Sequence, residues 1–226
     1  MAIDLIPLAI FDANQFFSWF VENANYWFVF IFMVIESSFI PFPSELVVPP
    51  AAYLSMQAGS GMNIFVVTIV ATAGALIGAI INYYLALWVG RPIVYKFANS
   101  RVGHALLIDE AKVHKAEVYF DEHGAISTFI GRLIPAVRQL ISIPAGLARM
   151  KMGPFIIFTT LGALVWNSIL AALGYLLSTF VPLEDLFAQV ERYNSYLTYA
   201  GYGIGVLCII FIAYNLLKPK KKSIEI

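Results

Sequence analysis

ESSFIPFPSE, residues 36–45, and GRLIPAVR, residues 131–138, are the two stretches that decide the fold of this 226-residue chain. Each places prolines and charged residues inside otherwise apolar sequence. A proline removes a backbone donor and disfavours the helical turn before it, so neither apolar run can continue as one straight helix. The whole chain is 60% hydrophobic and 12% charged, against about 25% charged residues in a soluble domain. The composition therefore indicates an integral membrane protein, and we expect an all-α polytopic fold.

Three uninterrupted apolar stretches are long enough to cross a bilayer, which takes about 20 residues. They are residues 62–90, 154–181 and 198–217. No Lys or Arg precedes Arg91, whereas five basic residues lie within 91–123 and four lysines follow the last stretch. Basic residues favour the cytoplasmic side. We therefore expect segment 91–123, an amphipathic polar segment, and the C-terminal tail in the cytoplasm. The acidic start of the segment 182–226 is expected on the periplasmic side.

The interrupted apolar stretches are predicted to be re-entrant hairpins. Residues 124–147 would begin and end in the cytoplasm, yet these 24 residues fall short of the roughly 40 needed for two crossings. Residues 25–58 would form a second hairpin that enters from outside. The first hairpin and the span 62–90 would be followed by the second hairpin and the span 154–181 in the opposite orientation. This order makes an inverted repeat over a core of residues 25–181. Such transporters bind substrate near the bilayer midplane.

Two further interpretations concern the N-terminal half. The segment 1–24 is predicted to be an amphipathic helix that lies at the membrane interface. Alternatively, residues 25–58 form one tilted span with a loop, preceded by an N-terminal span.

Four charged side chains flank the proline breaks: Glu36 and Glu45 in the first hairpin, Arg132 and Arg138 in the second. An unpartnered charge at the bilayer centre costs about 2.5–3.5 kcal/mol, so we expect the acids and the arginines to meet. The prolines expected to break the hairpins are Pro41, Pro43, Pro135 and Pro144. A purely structural set of salt bridges is one interpretation. Buried ion pairs stabilise poorly compared with apolar packing, however, which favours a functional role.

The residue types indicate which function the four charges serve. Two guanidinium groups can converge on one anion and suit phosphate oxygens, so Arg132 and Arg138 are the candidate substrate-binding residues. A carboxylate shielded from water binds a proton more readily, so Glu36 and Glu45 are the candidates for proton or cation coupling.

Other classes of site find little support in the sequence. The 14 basic and 14 acidic residues cancel, which argues against nucleic acid as a partner. Cys208 is the single cysteine, so neither a disulfide framework nor a cysteine zinc site is expected. No nucleophile–base pair is visible, and we expect no enzyme activity, no metal and no cofactor. Gly74 and Gly78 form a small-xxx-small pattern typical of helix packing.

Several motifs in the same order resemble the DedA family, also called the SNARE-associated or VTT-domain family. The resemblance runs from Glu36 to Gly174. Its motifs are the two hairpin stretches, Asn82-Tyr83-Tyr84, Gly90-Arg91, Phe120-Asp121-Glu122-His123-Gly124, Pro144-Ala145-Gly146-Leu147-Ala148-Arg149-Met150, Gly162-Ala163-Leu164-Val165-Trp166 and Gly174-Tyr175.

The resemblance implies a transporter with two opposed re-entrant hairpins in a bacterial inner membrane. It implies a flippase that returns undecaprenyl phosphate from the outer to the inner leaflet, coupled to H⁺ or Na⁺. The essential acids of the family fall on Glu36 and Glu45 and its arginines on Arg132 and Arg138. A small-ion or drug/H⁺ antiporter and a non-specific phospholipid scramblase stay open as alternatives, as does a homo-oligomer.

Overall fold

The computed structural model describes residues 13–38, 44–99, 110–186 and 188–190, and single positions at 192, 193, 196, 199 and 203. Within these ranges the chain forms helices and turns, and no strand occurs. The α-helices are α1 (Ala13–Asn23), α2 (Tyr26–Glu36), α3 (Val48–Leu54), α4 (Ile64–Leu85), α5 (Arg91–Ala98), α6 (Glu110–Arg132), α7 (Pro135–Arg138), α8 (Ser142–Leu147) and α9 (Met152–Ser178). A π-helical turn, Ala86–Gly90, joins α4 to α5. Apart from single positions, the expected last span at 198–217 and the basic tail lie outside the described residues.

Side chains in the connecting segments fix where two of these helices begin. The Asn25 side chain caps α2 by accepting a hydrogen bond from the Phe28 backbone N–H at 3.0 Å, and Asn63 caps α4 through the Phe65 N–H at 2.9 Å. Each cap satisfies a donor that the first helical turn leaves free. Gly59 and Gly61, in the turn ahead of α4, have positive φ angles of 87° and 65°, which glycine adopts without steric cost.

The two long helices expose large apolar side chains and bury their few polar ones. The continuous helix from Ile64 to Lys96 and helix α9 are both long and apolar enough to cross a membrane. Phe65 and Ile157 are exposed at 76% and 56%. The polar side chains buried within α4 and α9 are Thr72, Asn82, Thr159 and Asn167. This arrangement is the reverse of a water-soluble protein and fits a chain whose surface faces lipid.

Helices α4 and α9 lie side by side at the centre of the fold and collect the shorter helices around them. Helix α2 packs along α4, and α6 packs along α9; α3 contacts α9, and α8 contacts α4. Glycines permit these approaches. A Cβ at Gly74 would lie 2.6 Å from the Phe30 carbonyl oxygen of α2, and one at Gly162 would lie 2.6 Å from Cβ of Arg132 in α6. Small residues at helix crossings are the usual route to such close packing in membranes.

Helix α6 crosses the boundary that the charge pattern places between 123 and 124. It continues without a break from Glu110 to Arg132, so the end of the polar segment and the start of the second interrupted stretch belong to one helix. Gly124 does not interrupt it, because that glycine is buried against the Phe120 ring and the Met150 sulfur. The helix ends only where Leu133 and Ile134 precede Pro135, whose ring disfavours a helical conformation for the residue before it.

Candidate functional site

The four charged residues singled out in the sequence lie in the protein interior. Glu36 ends α2, Glu45 lies in the 3-10 turn Ser44–Leu46, Arg132 ends α6 and Arg138 ends α7. They are only 3, 5, 3 and 6% exposed, respectively. All four therefore lie beside one of the two breaks in the helical chain.

Arg138 joins the two breaks. Its Nη2 lies 3.1 Å from Glu36 Oε1 and 3.2 Å from Glu45 Oε1. It therefore contacts both carboxylates through a single nitrogen. The guanidinium also stacks on an aromatic face, with Cζ 4.8 Å from the centroid of the Trp166 ring. A cation on an indole face is stabilised by the ring quadrupole, most strongly away from water.

Arg132 has weaker contacts. Its Nη2 donates to the Ser142 hydroxyl of α8 at 3.4 Å, and its Nε has no hydrogen-bond partner among the described residues. Glu36 is held from its other side by the Ser37 hydroxyl, which donates to Oε2 at 2.7 Å. Among the described residues no carboxylate lies within 4 Å of Arg132, whereas Arg138 contacts two.

A small cavity lies between these groups. Its volume is about 10 Å³, which is room for about one water molecule. Residues from both breaks and from both central helices line it: Met33, Glu36, Ser37, Ala75, Arg132, Arg138, Ala163, Trp166 and Asn167. We call Glu36, Glu45, Arg132, Arg138 and this cavity the central charge cluster. Within the described residues, its buried atoms without a hydrogen-bond partner include Arg132 Nε, Arg138 Nε, Arg138 Nη1 and the Trp166 Nε1.

The prolines expected at the breaks have different positions. Pro41 and Pro43 lie outside the described residues. Pro135 is the first residue of α7, where its missing N–H costs no intrahelical bond. Pro144 lies within the first turn of α8, and the helix runs through it because donors of the first turn have no intrahelical acceptor. Pro144 thus lies within a short helix rather than between two helices.

Asn82 is a residue of the site that reasoning from charge did not single out. It is buried in α4, and its Nδ2 donates to the Ser37 backbone oxygen at 3.1 Å and to the Gln139 backbone oxygen at 3.3 Å. One amide thus bonds to the backbone of both breaks. The available signal was a polar residue inside an otherwise apolar span, which is itself a mark of function. The same signal marks Asn167, whose Nδ2 donates to the Thr72 hydroxyl of α4 at 3.3 Å.

A second charged contact lies at the end of the α4–α5 helix. Arg91 Nη1 lies 2.7 Å from Glu117 Oε1 of α6 and donates to the Leu147 backbone oxygen of α8 at 2.6 Å. The guanidinium therefore ties three helices together. A largely apolar cavity of about 220 Å³ lies beside it, between Tyr95, Phe120 and Leu147.

Metal chemistry has no evident location in the described part of the chain. Within those residues, no group of three His, Cys, Asp or Glu side chains is placed to hold a metal ion. The central charge cluster instead combines guanidinium groups with carboxylates.

Comparison with known proteins identifies the family. Residues 42–176 match the VTT domain. The chain is 33% identical to an "Alkaline phosphatase-like protein" of Lactococcus lactis, over 89% of this chain and 90% of that protein. It is 32% identical to "Undecaprenyl phosphate transporter A" of Bacillus subtilis, over 93% and 96% of the two chains. The Staphylococcus aureus protein of that name is 27% identical, over 92% and 98%. No solved structure matches the chain.

The domain match covers more than half of the chain, and the relatives align over nearly their whole length. The protein belongs to the VTT-domain family, the DedA family of the sequence analysis, and the recognition from sequence motifs is confirmed.

Proposed function

We propose that this protein transports a lipid phosphate, undecaprenyl phosphate, from the outer to the inner leaflet of a bacterial cytoplasmic membrane. The observation that carries the proposal is the central charge cluster, where two buried arginines retain unmet donors beside a cavity. Guanidinium groups bind phosphate oxygens, and two relatives bear the name undecaprenyl phosphate transporter A. The cavity of about 10 Å³ holds about one water molecule, so the site must widen to admit the phosphate group, while the isoprenoid tail stays in lipid.

We place the protein among transporters rather than enzymes. The Lactococcus relative carries a phosphatase-like name, but a phosphatase needs a nucleophile or a metal to attack phosphorus. The central charge cluster supplies arginines, an indole and two carboxylates, and both carboxylates are paired with Arg138. This pairing favours a role in charge balance over attack on phosphorus.

The proposed architecture is an inverted repeat of two opposed re-entrant hairpins, the first made by α2 and α3 and the second by the end of α6 with α7 and α8. The reciprocal packing supports it. Helix α4 contacts α2, the first arm of the first hairpin, and α8, the second arm of the second hairpin. Helix α9 contacts α6, the first arm of the second hairpin, and α3, the second arm of the first. Arg138 of one hairpin meets both acids of the other. The charge pattern orients the C-terminus towards the cytoplasm.

Charge balance gives the proposed coupling its direction. Two arginines and two glutamates sum to zero when all four are ionised. A phosphate would add negative charge to a site removed from water, where an uncompensated charge is costly. Protonation of Glu36 or Glu45 restores the balance and also frees Arg138 from a competing carboxylate. The proton and the phosphate therefore move together in the same direction.

Reconstitution in liposomes tests the proposal. The purified protein is incorporated with labelled undecaprenyl phosphate, and the appearance of label at the opposite leaflet is followed with and without a proton gradient. We expect transport by the wild type to accelerate when protons flow in the same direction. Arg132→Ala and Arg138→Ala are expected to lose it. Arg149→Ala is the matched control, because Arg149 is exposed and lies outside the cluster.

Each alternative has its own result. Proton flux without lipid movement would indicate a small-ion or drug/H⁺ antiporter. Movement that ignores both the head group and the gradient would indicate a scramblase. Transport by correctly folded Arg132→Ala and Arg138→Ala at the wild-type rate would disprove the head-group role of the arginines.

A further inference from the structure

Trp166 is an uncharged residue of the central charge cluster with an unexplained polar atom. It lies on α9 and is only 5% exposed. Its ring face carries the Arg138 guanidinium at 4.8 Å, and the residue lines the cavity together with Arg132. Its Nε1 has no hydrogen-bond partner among the described residues. A buried indole N–H normally has a partner, because leaving the donor unmet outside water is costly.

The unmet atoms around Trp166 share one chemical property. Arg132 Nε, Arg138 Nε, Arg138 Nη1 and Trp166 Nε1 are all donors, and none of them can accept a hydrogen bond. The cavity has room for about one water molecule, whose oxygen accepts only two hydrogen bonds. A single water therefore cannot satisfy four donors, whereas a group with several negatively charged oxygens can once the site widens to admit it.

We propose that Trp166 binds the head group directly, donating its indole N–H to a phosphate oxygen while its ring holds Arg138 in place. This inference rests on the proposed function and adds the class of head group to it. Arg132 and Arg138 occupy two terminal oxygens, and the indole N–H takes a third. A phosphomonoester has three terminal oxygens and a phosphodiester has two. Trp166 thus selects a lipid phosphomonoester over diester phospholipids.

The substitution Trp166→Phe separates the two parts of this role. Phenylalanine retains an aromatic face for Arg138 and removes only the N–H donor. Trp88→Phe is the matched control, because Trp88 is 68% exposed and belongs to the π-helical turn, away from the cluster. Circular dichroism and gel filtration in detergent check that both variants fold as the wild type does.

The binding probes are farnesyl phosphate, a prenyl monoester, and its methyl diester, titrated into the purified protein in micelles. We expect Trp166→Phe to weaken farnesyl phosphate binding about tenfold, as befits one hydrogen bond to a charged acceptor. The affinity for the methyl diester should change less than about twofold, and Trp88→Phe should affect neither ligand.

The outcomes distinguish this inference from the function on which it rests. If Trp166→Phe binds the monoester as the wild type does while Arg132→Ala does not bind it, Trp166 has only a packing role and the inference is overturned. Equal losses for both esters would also overturn the proposed selectivity. If the wild type binds neither ester but the liposome assay shows lipid transport, the phosphomonoester assignment is wrong while the proposed transport function stands. A wild type that neither binds nor transports contradicts the proposed function itself.

Discussion

Replacing Arg138 by methionine tests the energetics of the central charge cluster. Arg138 is the only described cation within 4 Å of either acid, with Nη2 at 3.1 Å from Glu36 and 3.2 Å from Glu45. Methionine has a similar length and no charge, so Arg138→Met leaves two buried carboxylates without their shared partner. Arg132, which donates to Ser142, would be the remaining source of positive charge.

The distances set the expected magnitude. At an effective dielectric constant of about 20, a pair of unit charges separated by about 3 Å is worth about 5 kcal/mol. The desolvation of three ions offsets much of that gain. Removal of one partner from a buried pair typically costs about 3–5 kcal/mol, because the other charge is left uncompensated. We expect Arg138→Met to lower the free energy of unfolding by that amount.

A double-mutant cycle with Glu45→Gln isolates the interaction. The wild-type cluster is balanced, Glu45→Gln leaves one net positive charge, Arg138→Met leaves one net negative charge, and the double variant is balanced again. The double variant should therefore be more stable than Arg138→Met alone, with a coupling energy of about 2–3 kcal/mol. Denaturant unfolding in micelles, followed by circular dichroism, measures all four proteins. Arg149→Met, an exposed position, should change stability by less than about 0.5 kcal/mol.

Additive effects of Arg138→Met and Glu45→Gln on the free energy of unfolding would refute this account of charge compensation. If the two substitutions destabilise independently, Glu45 and Arg138 do not compensate one another in the folded protein. An Arg138→Met variant as stable as the wild type would show that the acids are neutralised by other means, and the charge-balance account of coupling would fall with it.

Two further substitutions test the packing that supports the cluster. Gly174→Ala in α9 should lower stability by about 1–3 kcal/mol, because its Cβ would overlap the Pro49 carbonyl oxygen of α3. Gly153→Ala, at the start of the same helix and with no neighbour within 4 Å, is the control and should change stability by less than about 1 kcal/mol. Equal shifts in the unfolding midpoint would contradict the close α3–α9 contact. Asn82→Leu should lower the free energy of unfolding by about 1–3 kcal/mol, because it leaves two backbone carbonyls unpaired. It should also speed amide hydrogen exchange at both breaks, and Asn167→Leu is the milder control. Unchanged exchange would show that the Asn82 amide does not hold the breaks together.

Local chemistry explains why the sequence alone predicted much of the cluster. Pro135 restricts the backbone wherever it occurs, so a break near residue 134 follows from covalent geometry. Glu36 and Arg138 are costly in an apolar environment at any position, so their contact follows from the need for compensation. Neither inference requires knowledge of which helix packs on which.

The remaining features depend on tertiary contacts that no local pattern contains. The Trp166 ring of α9 lies against the Arg138 guanidinium at the end of α7, and nothing in the sequence around Trp166 specifies that contact. Charge counts also locate segments relative to the membrane without marking helix ends. For this reason they placed a boundary at residue 124, whereas α6 passes through it because nothing there stops a helix.

The π-helical turn at Ala86–Gly90 determines the direction in which Arg91 points. A π turn contains one residue more than the corresponding α turn, and one residue amounts to a rotation of about 100° around the helix axis. With regular geometry, the face of α5 that carries Arg91 would be turned away from Glu117 and the Leu147 carbonyl. The extra residue in the π turn therefore rotates α5 relative to α4 around their common helix axis. One face of that helix can thereby serve the membrane-embedded half of the protein while a different face anchors α6 and α8.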